Sequence, residues 1–327
     1  MPEPSRQGRL RLGACLGLVS LGLLFTGFGA LVGDPMRTVH ELNGVVLRAT
    51  GAHAESFRAA DGGRLSVWVL GPLSAERPVV LLHGLGATSD YWTRAALSLR
   101  RAGRTVLLPD APGSGASDAP RDETGYGLRG RVAALSAMAS ALGLDRFDLV
   151  GHSLGGWVAG RYAIESPERV ARLVLVDAAG FTRPTPEGIL DARRSLSPLD
   201  RAGARHLVDL LFFRKPFPLA GFVVDALGRN YGARNVVHTV ASLGEADALL
   251  GRETLLPHAT VFLWGERDPL FPVADARRAA SRVPGARCIV ITGVGHDAPL
   301  EAPGLFDQAL TRALEAVPTE GLPPRKS

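Results

Sequence analysis

The chain has 327 residues, 46% of them apolar and 21% charged, and a formal net charge of +5. That balance supports a sizeable core and excludes a wholly disordered, collagen-like or disulfide-framework protein. The basic residues are almost all arginine, with lysine only at Lys215 and Lys326. They are interspersed with Asp and Glu, so the charge reads as solvated surface and no nucleic-acid partner is expected. Cys15 and Cys288 fall in segments that are not expected to meet, and no disulfide is predicted.

From Leu12 to Gly33 there are 22 residues without a charge. As a helix this run would reach about 33 Å, enough for a hydrocarbon core of about 30 Å. Arg6, Arg9 and Arg11 precede it, and Asp34 and Arg37 follow. The positive flank stays on the cytoplasmic side, so residues 1–36 are expected to anchor the chain in a membrane, with the remainder on the extracytoplasmic (periplasmic) side. A cleaved signal peptide competes, but it calls for a shorter apolar region, and the cleavage-like pattern around Gly27 to Ala30 is poor. The spacings Gly13-x-x-x-Gly17 and Gly29-x-x-x-Gly33 offer faces for helix pairing, although small residues are common in such helices.

Residues 37–53 carry no clear pattern and read as a connector. After them, strand candidates fall near 54–60, 64–70, 78–82, 104–108, 146–150, 171–176, 259–264 and 286–291. Helical stretches fall near 89–101, 126–142, 154–166, 272–283 and 303–316. Several strands are continuous apolar runs, such as Val79-Val80-Leu81-Leu82, as expected for parallel strands covered on both faces. The βα alternation predicts an α/β fold with a mostly parallel eight-stranded sheet and helices on both faces. It breaks over 178–258, where prolines and amphipathic helical pieces predict a helical cap. Fourteen of the 22 residues from Leu207 to Gly228 are apolar, including Phe212, Phe213, Phe217 and Phe222. They suit the roof of an acyl pocket and equally the underside that any cap needs. The expected organisation is therefore 1–36 anchor, 37–177 and 259–317 core, 178–258 cap and 318–327 a loose tail.

Gly151-His152-Ser153-Leu154-Gly155 lies between a predicted strand and a predicted helix, the setting in which G-x-S-x-G forms a nucleophile elbow. A serine nucleophile needs a base and an orienting acid. His296, in the loop after the last strand, suits the base, with an ordinary pKa of about 6.5. Asp268, in Gly265-Glu266-Arg267-Asp268-Pro269, suits the acid; Asp177, at the end of an earlier strand, is the alternative. The oxyanion donors are expected to be the N–H groups of Leu154 and of Leu85 in His83-Gly84-Leu85-Gly86. The His83 side chain reads as structural. The glycine-rich run Asp110 to Asp118 lacks a P-loop ending and reads as a tight loop. No metal-ligand spacing is present, and neither metal nor cofactor is expected.

Taken in order, His83-Gly84-x-Gly86, Asp110-x-x-Gly113-x-Gly115-x-Ser117, Gly151-His-Ser-x-Gly-Gly156, Gly265-x-x-Asp268 and Gly295-His296 resemble the α/β-hydrolase superfamily, over residues 60 to 316. The overall layout resembles its membrane-anchored monoacylglycerol lipase and bacterial esterase branch. The resemblance implies Ser153, Asp268 and His296 as a triad acting on small-molecule or lipid-like esters. Similar blocks occur in C–C bond hydrolases, cofactor-free haloperoxidase-like esterases and lactonases, and a catalytically silent hydrolase-fold binding protein is the rival reading from outside enzymology. Serine at the nucleophile position disfavours the aspartate-dependent epoxide hydrolases and haloalkane dehalogenases.

Overall fold

In the computed structural model, residues 33–182, 200–215, 221–244 and 247–315 are described. The Val- and Leu-rich runs form strands because aliphatic and β-branched side chains fit a pleated surface covered on both sides. In chain order these are β1 (His53–Arg58), β2 (Arg64–Leu70), β3 (Val79–Leu82), β4 (Val106–Pro109), β5 (Phe147–His152), β6 (Val170–Val176), β7 (Thr260–Gly265) and β8 (Arg287–Ile291). They make one sheet in the order β1-β2-β4-β3-β5-β6-β7-β8. β2 runs antiparallel to both neighbours, and every other adjacent pair is parallel. Each strand lies within two residues of its predicted run.

The helices are α1 (Pro35–Ala49), α2 (Thr93–Arg101), α3 (Leu128–Ala141), α4 (Leu154–Glu165), α5 (Arg201–Leu211), α6 (Gly221–Tyr231), α7 (Arg234–Ser242), α8 (Val273–Arg282), α9 (Ala298–Glu301) and α10 (Pro303–Glu315). Alternation along each strand sends successive side chains to opposite faces. Leu149, Leu173 and Phe262 meet α3, α4 and α8 through Met138, Val158 and Ala276. Val150, Val174 and Leu263 meet α2 and α10 through Leu99, Phe306 and Leu310. Helices α5, α6 and α7 lie between β6 and β7 and bury a separate cluster of Leu207, Val208, Leu211, Phe212, Tyr231 and Val236. Leu85 and Leu270 of the core loops pack against that cluster.

Two expectations are corrected. The stretch 37–53, read as a connector, is mostly helix. Asp34 caps α1 by accepting from the Arg37 N–H (3.1 Å), and Leu47 is fully buried. Val39, Leu42 and Val45 are exposed, so its apolar residues do not mark the buried face. The membrane anchor, with its extracytoplasmic orientation, is also withdrawn. No helix among the described residues is long and apolar enough to cross a membrane. Helix α1 has 15 residues and carries Arg37, Glu41 and Arg48. It would extend only about 23 Å. Residues Leu12 to Val32 of the run that prompted the anchor lie outside the described residues, as do Cys15, both glycine spacings except Gly33, Phe217 and the 318–327 tail.

Candidate active site

The strands β3, β5, β6, β7 and β8 all run the same way, so the loops after them gather at one edge of the sheet. That edge is where open α/β sheets bind ligands. Ser153 sits there, between β5 and α4, at φ 53° and ψ −119°. A non-glycine residue in this region is strained by about 1–3 kcal/mol and persists only where the surroundings enforce it. Here the Ser153 N–H donates to Val176 O (2.9 Å), and its carbonyl accepts from Trp157 and Ala179 (both 3.1 Å). A side chain at Gly151 would come within 2.2 Å of Gly155 O, and one at Gly155 within 2.5 Å of Leu82 O and His83 O. The two glycines therefore allow a turn too tight for any Cβ, and Ser153 is left half-buried at a helix N-terminus.

His296 and Asp268 are joined directly. The buried His296 donates from Nδ1 to Asp268 Oδ2 at 2.9 Å. The other Asp268 oxygen accepts the N–H groups of Leu270 (2.8 Å) and Phe271 (3.0 Å), which fixes the carboxylate behind the ring. With the proton on Nδ1, the lone pair is left on Nε2, the form a general base requires. Burial lowers the His296 pKa, but the charge and hydrogen bond of Asp268, with Asp297 adding to them, outweigh it and raise the value above the ordinary one. Asp177 plays another part. Its Oδ1 accepts the Gly265 N–H (2.7 Å), while its buried Oδ2 has no hydrogen-bond partner. Burial first, then the Asp268 charge, push its pKa well above the usual carboxylate range.

His296 is brought to the elbow through His152, the residue before the serine. His152 Nε2 donates to His296 O (3.0 Å), and the two rings lie 4.9 Å apart. Burial, then His296 and His83, hold His152 well below its ordinary pKa, so it stays neutral. No hydrogen bond joins the Ser153 hydroxyl to His296. In ligand-free active sites such contacts are often long and tighten only with substrate.

The loop after β3 lies against the same turn, and a side chain at Gly84 would meet Ser153 Cβ at 3.3 Å. Neither Leu85 N–H nor Leu154 N–H has an acceptor among the described residues. Leu154 begins α4, where the first N–H groups are free and the dipole favours negative charge. His83 sets the loop. Ala111 N–H donates to His83 Nε2 (3.1 Å), so its proton sits on Nδ1, which donates to Gly84 O (2.8 Å). The Asp110 loop is scaffold: Asp110 accepts the N–H groups of Ser89 (2.7 Å) and Ala116 (2.9 Å).

Sequence reasoning missed several residues here. The Tyr91 hydroxyl donates to Asp297 Oδ1 (2.6 Å), and the Tyr91 ring stacks on His152 at 5.1 Å. Glu301 accepts the N–H groups of Phe213 and Gly295 (3.0 Å each) and of Arg214 (2.9 Å), tying the end of α5 to the His296 loop. Asp297 could have been noticed as an acid next to the histidine. The others have no local signal, because the partners that place them at the site, Asp297 for Tyr91 and Phe213 for Glu301, are distant in sequence.

The model of the α/β hydrolase fold family matches residues 77–303. The chain belongs to this family. An uncharacterised protein of Mycobacterium tuberculosis (strain ATCC 25618 / H37Rv) is 30% identical over 299 residues, covering 79% of this chain and 85% of that one. A 2-hydroxymuconate semialdehyde hydrolase of Pseudomonas sp. (strain CF600) is 31% identical over 241 residues, covering 70% and 83%. A crystal structure of a candidate lipase, lip1, from Acinetobacter baumannii AYE superposes with a TM-score of 0.73 at 25% identity, covering 88% of this α/β hydrolase and 97% of that chain. The fold and these relatives support a hydrolase.

Proposed function

We propose that this α/β hydrolase cleaves carboxylic esters through an acyl-enzyme on Ser153. The observation that carries the reading is the strained serine at the elbow, together with an imidazole that a buried carboxylate orients and whose loop is tied to that elbow through His152. Ser153 Oγ attacks the ester carbonyl while His296 Nε2 takes its proton. Asp268 holds the ring and stabilises the imidazolium. Leu85 and Leu154 N–H groups receive the charge that develops on the carbonyl oxygen, each worth about 3–4 kcal/mol. His296 then protonates the leaving alkoxide, and water repeats the sequence to release the acid. Helices α5, α6 and α7 act as a cap over this site, and the likeness to a candidate lipase supports an acyl substrate.

A fluorophosphonate probe should label the wild type and leave Ser153→Ala unlabelled, with p-nitrophenyl ester turnover lost in the same variant. Equal labelling of the two proteins rejects the assignment. A second reading, hydrolysis of a C–C bond in a vinylogous diketone by the same residues, is favoured by the 31% identity to the semialdehyde hydrolase. Ester and diketone substrates assayed side by side decide between them.

A further inference from the structure

We propose that Asn230 and Tyr231, at the end of α6, are positioning residues that hold the Gly84-Leu85-Gly86 loop in its oxyanion-binding shape. This rests on the reading of Leu85 N–H as an oxyanion donor. Three successive carbonyls of the loop are each held by a different side chain. Gly84 O accepts from His83 Nδ1 (2.8 Å), Leu85 O from the Tyr231 hydroxyl (3.2 Å), and Gly86 O from Asn230 Nδ2 (2.7 Å). The first hold comes from the core and the other two from the helical insertion between β6 and β7.

Peptide planarity turns these contacts into control of one N–H vector. Gly84 C=O and Leu85 N–H belong to the same rigid plane, as do Leu85 C=O and Gly86 N–H. The Leu85 N–H lies in the plane that His83 holds at Gly84 O, and Tyr231 holds the plane on the other side of the Leu85 Cα, so neither can turn about that atom unless a hydrogen bond breaks. His83 alone would leave the second plane free to turn and to pull the first with it. Tyr231 is buried, and burial followed by the Asp297 charge raises its pKa further, so the phenol remains a donor across the working range. The contact is also close-packed. Gly86 adopts φ +70°, and a Cβ there would lie 3.1 Å from the Tyr231 ring and 3.3 Å from Asn230 Nδ2. Leu85 and Tyr231 share the apolar cluster of the insertion.

An oxyanion donor works because its dipole is aimed before the charge appears. Loosening the plane therefore weakens transition-state binding while leaving ground-state binding almost alone, which lowers kcat without raising KM. The test is the pair Tyr231→Phe and Asn230→Leu, made singly and together in the full chain. Both keep the approximate volume and remove the donor without adding a charge, so a role in packing alone leaves kcat unchanged. The expected result is a fall in kcat of about tenfold for the double variant, part of the 10²–10³ that a whole donor provides. KM stays within about twofold, and affinity for a boronic-acid transition-state analogue falls by the same factor as kcat/KM. Hydrogen–deuterium exchange of segment 83–88 should also quicken, whether or not the protein turns over esters. Wild-type kcat in the double variant of an active enzyme, or unchanged exchange in that segment, overturns the proposal. Turnover that survives in Ser153→Ala instead counts against the proposed function.

Discussion

Replacing Asp297 with asparagine should make the protein more stable at pH 8 and less sensitive to pH. Asp297 is buried, and it accepts the Tyr91 hydroxyl. Burial is the main influence on its carboxyl. The Tyr91 hydrogen bond and His296 pull the pKa down, Glu301 and Asp268 push it up, and the result is about 6 against an ordinary 3.8. Between about pH 4 and 6 the folded protein keeps a proton that the unfolded chain has already released. Stability therefore falls as pH rises through this window, and the loss is complete above the folded value. At 1.36 kcal/mol per pH unit, the rise from 3.8 to about 6 amounts to about 3 kcal/mol. Asparagine has the same shape and still accepts from Tyr91, but it cannot ionise. Urea unfolding at pH 4.5 and pH 8 should show the variant gaining up to about 3 kcal/mol over wild type at pH 8 and only about 1 kcal/mol at pH 4.5. An identical pH slope in the two proteins, or a variant less stable at pH 8, refutes the reasoning.

His296, the proposed base, gives a second expectation. The raised pKa of His296 places the acid limb of kcat/KM above the ordinary histidine value of about 6.5, because the base must be unprotonated to act. In Asp297→Asn one of the charges that raise it is gone, so the limb should move to lower pH. Asp268→Asn should lose about 10⁴ in kcat by upsetting the imidazole tautomer. Asp177→Asn, which preserves the acceptor for Gly265 N–H, should retain kcat within a few-fold, and a comparable collapse in both variants would contradict the separate parts given to the two carboxyls. Ser153→Gly should melt above Ser153→Ala, since glycine relieves about 1–3 kcal/mol of backbone strain at φ 53°. Equal melting temperatures would mean that the turn stores no strain.

How much was legible in the sequence depended on how far each signal reaches along the chain. Strand β2 was read at its observed bounds because its run is short, apolar and bracketed by turn residues. The elbow was legible because two glycines and a serine must occur within five residues for the turn to close. Helix α1 was missed because its apolar residues are interspersed with charged and polar ones and only Pro35 and Leu47 are buried, so no clear buried stripe is written in the sequence. The anchor was inferred from an uncharged run and its flanking charges, which say that a segment is long enough to cross a membrane and nothing about where it lies. The ties from Tyr91 to Asp297, Glu301 to Phe213 and Asn230 to Gly86 join residues 206, 88 and 144 positions apart, and no local periodicity encodes such meetings.

His152 contributes to the elbow with its backbone and receives the final catalytic loop with its ring, through the bond from Nε2 to His296 O. The serine turn depends on β5, on α4 and on the hydrogen bonds to Val176 and Ala179 at the end of β6, while the proposed base arrives only after β8. A chain that stops short of β8 would thus hold the serine without the proposed base, so truncated chains should show none of the proposed activity.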